Sequence, residues 1–239
     1  MKRRVLVTRP EPGAARTAKR LAAAGYDPVV LPLTRIVPLA FDFPEDEFDA
    51  MILTSAQALR AASGTDFTTI TDLPVFAIGE TTAQAARRTG FNNVKTAGGS
   101  VESVCRLITS SVRPGAGMLY LCGKVRRPDL EAQLQRSGFA ITAVETYDAP
   151  PVDYDPAEMD KRLGDGPIDA VTLLSLQAAE IFSELGRNKA LRDRVKDALL
   201  ICFSERIAAG VSGTGLEVAV TSDANEDALF RLLAERLPI

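Results

Sequence analysis

Small hydroxyl-bearing residues recur in this sequence where a short apolar run gives way to a helical pattern: Thr8-Arg9, Thr54-Ser55, Thr81-Thr82, Ser175 and Ser204. A helix N-terminus at such a place presents unpaired N–H groups and the positive end of the helix dipole, which suits carboxylates and phosphates. Each hydroxyl alone also reads as an ordinary helix N-cap. Their recurrence at matching places is what points to a ligand. Arg9, Lys124, Arg126, Arg127 and Arg206 lie near these junctions and could pair with an anion, or simply be solvated. Tyr147 stands apart, in a proline-flanked segment where no sheet core needs an aromatic ring. A phenol facing a cleft can donate a hydrogen bond or a proton; the plainer alternative is an amphipathic ring packed at a hinge.

Composition removes several chemistries. The chain has no histidine, so Ser–His and Cys–His triads and most zinc enzymes are excluded. Three cysteines, Cys105, Cys122 and Cys202, have no metal-like spacing and read as buried, reduced thiols. No metal site is expected. Neither a GxxxxGK[ST] loop nor a GxGxxG after the first strand is present. A net charge of −3 argues against nucleic-acid binding, which wants a basic stripe. No apolar run approaches the ~20 residues that span a bilayer. Met1-Lys2-Arg3-Arg4 is basic, but Val5-Leu6-Val7 is too short for a signal-peptide core, so a cytoplasmic protein without a membrane partner is expected.

The elements that would position these residues alternate. Strands are expected near 4–8, 28–33, 49–53, 75–78, 93–96, 117–122, 140–145, 169–174, 199–203 and 217–221. Several are near-continuous apolar runs, the pattern of parallel strands covered on both faces. Helices fit between them at 13–24, 57–62, 82–89, 101–111, 128–137, 177–185, 208–212 and 226–236, several closed by glycine at Gly25, Gly90 and Gly138. The fold class is α/β, with open parallel sheets flanked by helices.

The chain also says nearly the same thing twice. DAMILTSAQALRAA at 49–62 matches DAVTLLSLQAAEIF at 169–182. Residues 77–108 match 202–233, and 5–32 resemble 119–145 more weakly. A period this long means two copies of one domain. Two similar domains make a cleft, where small ligands bind. Leu33–Pro38 and Glu145–Pro151 occupy equivalent places and read as linkers. No exposed apolar stripe stands out, so a monomer is expected.

Val5-Leu6-Val7-Thr8-Arg9-Pro10, Gly25, Leu31-Pro32-Leu33, Leu53-Thr54-Ser55, Ile78-Gly79-Glu80-Thr81-Thr82-Ala83, Leu121-Cys122-Gly123 and Val144-Glu145-Thr146-Tyr147 together resemble the uroporphyrinogen-III synthase family. The resemblance runs over essentially the whole chain. It implies two similar domains joined by a two-stranded linker: residues 1–36 with 150–239, and residues 37–149, with the active-site cleft between them. It further implies a cofactor-free cyclisation of hydroxymethylbilane to uroporphyrinogen III, with loss of water and inversion of ring D. Tyr147 matches the family's linker tyrosine, whose role is to help the hydroxyl leave. Thr8, Arg9, Ser55, Gly79, Thr81, Thr82, Lys124, Ser175 and Ser204 would hold the substrate, a linear tetrapyrrole with eight carboxylates. Two stretches depart from the family pattern, Ser204-Glu205-Arg206-Ile207 and Leu176-Gln177 after Ser175. From the residues alone, a non-catalytic two-lobed protein that binds or senses a small anion stays open, as does a degenerate relative kept for protein contacts.

Overall fold

The computed structural model describes residues 2–186 and 188–239. Met1, at the head of the basic N-terminal stretch, lies outside the described residues. The chain forms two compact units, Met1–Arg35 with Pro150–Ile239, and Ile36–Ala149.

The first unit opens with β1 (Arg4–Val7), α1 (Gly13–Ala23) and β2 (Asp27–Val30). The second runs β3 (Val37–Pro38), β4 (Ala50–Leu53), α2 (Ala56–Ala61), β5 (Val75–Ala77) and α3 (Glu80–Arg88). It continues with β6 (Val94–Thr96), α4 (Val101–Ser111), β7 (Gly117–Gly123), α5 (Pro128–Arg136) and β8 (Ala140–Asp148). The chain then returns to the first unit with α6 (Pro156–Leu163), β9 (Ala170–Leu173), α7 (Leu176–Leu185) and α8 (Lys189–Val195). It closes with β10 (Leu199–Cys202), α9 (Glu205–Ala209), β11 (Val218–Val220) and α10 (Glu226–Arg236).

The first sheet has the order β11-β10-β9-β1-β2 and is parallel throughout. The second has the order β3-β8-β7-β4-β5-β6, with β3 antiparallel to β8. Leaving β3 aside, the two sheets share one topology if β9, β10, β11, β1 and β2 stand for β4, β5, β6, β7 and β8. The sequence repeat is therefore real at the level of strand order, and the first unit is a permuted copy. In each copy the strand order reverses at one place: between β9 and β1, and between β4 and β7.

Burial follows from this order. Central strands β4, β9 and β10 are buried at every position, whereas edge strands β2, β6 and β11 are only partly so. Alternate residues supply opposite faces: Leu6 joins one apolar cluster and Val5 and Val7 another, while Ala50 and Ile52 face away from Met51 and Leu53. Each fully buried side chain of this size contributes ~1.5–3 kcal/mol. Cys105, Cys122 and Cys202 are free and buried. Among the described residues no helix is long and apolar enough to cross a membrane, and no cluster of three His, Cys, Asp or Glu could hold a metal.

Four elements differ from expectation. β8 runs on to Asp148, so Glu145–Asp148 is strand rather than free linker. It can do so because it has partners on both sides, β7 and, through Val37↔Asp148 and Pro38↔Tyr147, the short β3. Pro38 is tolerated there because β3 is an edge strand and needs no donor on its outer side. In the first unit Thr34 pairs with Pro151 in the same antiparallel sense. Helices α6 and α8, unexpected from periodicity, are set by local caps: the Asp155 and Asn188 side chains accept from the Glu158 and Ala190 N–H groups. The helix expected at 208–212 instead begins at Glu205, directly after Ser204.

Candidate active site

In an open parallel sheet a ligand sits beyond the carboxyl ends of the strands, where the strand order reverses. In the second unit that place is the end of β4 and β7. Thr54 and Ser55 leave β4 there, and Gly123 ends β7 with Lys124 directly after it.

Tyr147 is brought to the same spot by a fault in the β7–β8 ladder. The register runs Leu121↔Val144 and Cys122↔Glu145, then jumps to Gly123↔Tyr147. Thr146 is the extra residue of a bulge, which kinks a strand and re-aims the side chains after it. Regular alternation would put Thr146 and Tyr147 on opposite faces. Here both turn toward α2. Thr146, fully buried, donates from Oγ1 to the Ala58 carbonyl at 2.9 Å, and Tyr147 packs against the apolar cluster that includes Leu53, Leu59 and Leu121. Glu145 points the other way and accepts from Arg126 at 2.6 Å.

The Tyr147 ring lies over Gly123, where an added Cβ would come 2.7 Å from Cζ and 3.0 Å from Oη. Burial pushes the phenol above its ordinary pKa, and hydrogen bonding with Ser55 offsets part of that rise. Tyr147 thus stays protonated well beyond neutral pH and can donate. Ser55 also caps α2, accepting from the Gln57 N–H at 3.2 Å. Lys124 donates its backbone N–H to the Tyr147 carbonyl at 2.8 Å. Its ammonium is 61% exposed and 3.7 Å from Asp148, a surface pair that leaves the charge available.

The neighbouring strand end adds further donors. Gly79 is the N-cap of α3, extended and without a side chain. Thr81 is exposed. Thr82 is 6% exposed; its hydroxyl has no hydrogen-bond partner among the described residues, and no buried side-chain polar atom among them is unsatisfied, so that oxygen reaches the surface. Arg126 and Arg127, by contrast, are engaged by Glu131, Glu145 and Asp129.

The equivalent reversal in the first unit lies at the ends of β9 and β1. Ser175 is exposed and caps α7 through the Ala178 N–H at 3.2 Å. Ser204 holds the N-cap position of α9 without a side-chain capping bond. Thr8 and Arg9 depart from expectation. Thr8 is wholly buried, and its hydroxyl donates to the Thr172 carbonyl at 2.6 Å, so it ties β1 to β9 rather than facing a ligand. The Arg9 guanidinium pairs with Glu226. That carboxylate also accepts from Arg20 at 2.8 Å and from Thr17 at 2.9 Å. Burial pushes Glu226 up, but Arg20, Arg9, Thr17 and Arg16 together hold it below the ordinary carboxylate range.

Comparison with known proteins decides the family. Residues 15–231 match the family described as uroporphyrinogen-III synthase HemD. The chain belongs to the uroporphyrinogen-III synthase family. It is similar in structure to uroporphyrinogen-III synthetase from Helicobacter pylori, at 17% identity over 98% of this chain and 99% of that one, with a TM-score of 0.65. A mutant uroporphyrinogen III synthase from the extremely thermophilic bacterium Thermus thermophilus matches at 19% identity, over 98% and 100% of the two chains, with a TM-score of 0.56. No curated protein matches the chain in sequence. Uroporphyrinogen-III synthases cyclise hydroxymethylbilane in tetrapyrrole biosynthesis, and membership gives this chain that reaction. Two residues that seat Tyr147 entered the sequence reading only within family motifs, with no role of their own. Gly123 carried a usable signal, a glycine directly after an apolar strand; Thr146 carried none, because a bulge leaves no periodic trace.

Proposed function

We propose that this chain cyclises hydroxymethylbilane to uroporphyrinogen III with inversion of ring D, and that Tyr147 helps the terminal hydroxyl to leave. The observation that carries this reading is a protonated phenol held at the strand-order reversal of the second unit, over Gly123 and beside Ser55. The pyrrole nitrogen of the substrate pushes electrons toward the terminal carbon. The C–O bond breaks as the departing oxygen takes the phenol proton, and water leaves. The resulting azafulvenium closes through a spiro intermediate, and the phenol regains its proton from the proton lost at aromatisation. A phenol kept neutral by burial suits this role, whereas a phenolate would not. The substrate supplies its own activation, so a side-chain nucleophile has nothing to do here.

The eight carboxylates need donors. Ser55, Gly79, Thr81, Thr82 and Lys124 of the second unit, with Ser175 and Ser204 of the first, are the groups we assign to them. Each lies at or beside a helix N-terminus or loop that follows a strand. Binding a flexible chain in one folded shape contributes up to ~7–11 kcal/mol to such a reaction.

The test couples the protein to freshly generated hydroxymethylbilane and separates the cyclised products by isomer. Unassisted closure gives type I, so a dominant type III product is expected. Type I alone, from folded protein, would leave a non-catalytic anion-binding role in its place. Tyr147→Phe is expected to lower kcat by about 10²-fold with KM little changed. Wild-type turnover by that variant would end the acid role.

A further inference from the structure

Tyr120 sits in the middle of β7, 2% exposed, within an apolar cluster that includes Ile52, Phe76 and Met118. Phenylalanine would fill that place without a polar atom to satisfy. The phenol oxygen has one use: it lies 2.9 Å from Thr54 Oγ1. Distance alone leaves either hydroxyl as donor, and proton accounting decides. A buried phenol whose hydrogen meets no acceptor costs ~1–3 kcal/mol. Among the described residues Thr54 is the hydrogen-bond partner of Tyr120, so a Thr54 that donated would leave the phenol hydrogen buried without an acceptor. The phenol therefore donates and Thr54 Oγ1 accepts. Burial, which raises the Tyr120 pKa to about 12, keeps that proton in place.

An accepting Oγ1 must send its own hydrogen elsewhere. Thr54 is only half buried, directly follows the last residue of β4, and no other described residue accepts from it. It adjoins Ser55 at the strand-order reversal. We infer that Thr54 is a substrate-binding donor aimed at a carboxylate of the linear tetrapyrrole, and that Tyr120 is the positioning residue that fixes its direction. This rests on the cyclase reading given above. Losing the Thr54 hydroxyl removes the contact whatever stands at position 120, whereas losing the phenol only leaves that hydroxyl undirected, because Tyr120 acts only through Thr54.

The experiment is a double-mutant cycle on the whole chain with Thr54→Val, Tyr120→Phe and the double variant, read by KM, kcat, product isomer and melting temperature. Thr54→Val is expected to raise KM by about tenfold or more, the loss of one hydrogen bond to a charged group. Tyr120→Phe should raise KM several-fold, with kcat nearly unchanged. The double variant should match Thr54→Val, and Thr54→Ser, which keeps the hydroxyl, should stay near wild type. Wild-type protein that forms only the type I isomer overturns the catalytic reading itself. If wild type forms type III, an unchanged KM in Thr54→Val overturns the inference about Thr54. Multiplying KM effects in the double variant, or a Tyr120→Phe change confined to melting temperature, overturns the positioning role.

Discussion

Tyr147 rests on Gly123: a single methyl at that glycine would come within 2.7 Å of the phenol carbon Cζ. The two residues are register partners only because the β7–β8 ladder skips Thr146. The proposed acid is thus placed by a missing side chain on one strand and an extra residue on the next.

Gly123→Ala tests the first of these. The Gly123 backbone does not need a positive φ, so alanine meets no conformational penalty there and its methyl acts on the ring alone. The ring must give way, at ~1–3 kcal/mol of overpacking. Turnover is expected to fall at least tenfold, by loss of kcat rather than a rise in KM, while circular dichroism stays native. Unchanged kcat would mean that the phenol does not need this seat.

Thr146→Val tests the second. Valine keeps the shape but removes the donor to the buried Ala58 carbonyl, also within 3.4 Å of the Cys122 carbonyl. A loss of ~1–3 kcal/mol in stability is expected, measured by chemical denaturation, together with reduced kcat. Thr146→Ser should recover both. A Val variant that is less stable but fully active would show that the bulge persists without its hydroxyl.

Glu226 gathers Arg9, Arg16, Arg20 and Thr17 and ties α10 to α1. Its folded pKa is depressed, so its contribution is present above the unfolded value and lost as pH falls through the folded one. Glu226→Gln should cost about 1.5–3 kcal/mol at neutral pH. The difference from wild type should shrink in acid as the native carboxylate protonates. A constant difference down to acid pH would remove the carboxylate's charge from the explanation.

Alkaline pH bears on the two site phenols. Burial raises Tyr120 to about 12 and Tyr147 above its ordinary value. A raised folded pKa means that stability is intact below the unfolded value near 10 and is lost as pH climbs through the folded one. Cys122 and Cys202, also pushed up to about 12, add to the slope. Stability measured between about pH 10 and 12 should therefore fall steeply, and less steeply in Tyr120→Phe. Identical slopes would mean that Tyr120 is not held neutral by the fold.

The sequence by itself determined what depends on near neighbours. Apolar runs such as Ala50–Leu53 and Ala170–Leu173 read as buried parallel strands and are so. The hydroxyls Ser55 and Ser175 read as standing at helix starts, and each caps its helix, because capping reaches only two or three residues ahead. The repeat between 49–62 and 169–182 foretold two sheets of one topology. Helix α6 was not expected, because hydrophobic period passes over it, although Asp155-Pro156 offered a local signal, a cap followed by the proline that favours a first helical position. Tertiary structure decided the rest. Thr8 could not be known as buried until Thr172, 164 residues away, came alongside it. Arg9 could not be known as engaged until Glu226 arrived from 217 residues on. Tyr147 turned toward α2 because the ladder slipped by one at Thr146, and a slip is a property of two paired strands that neither strand's sequence records alone.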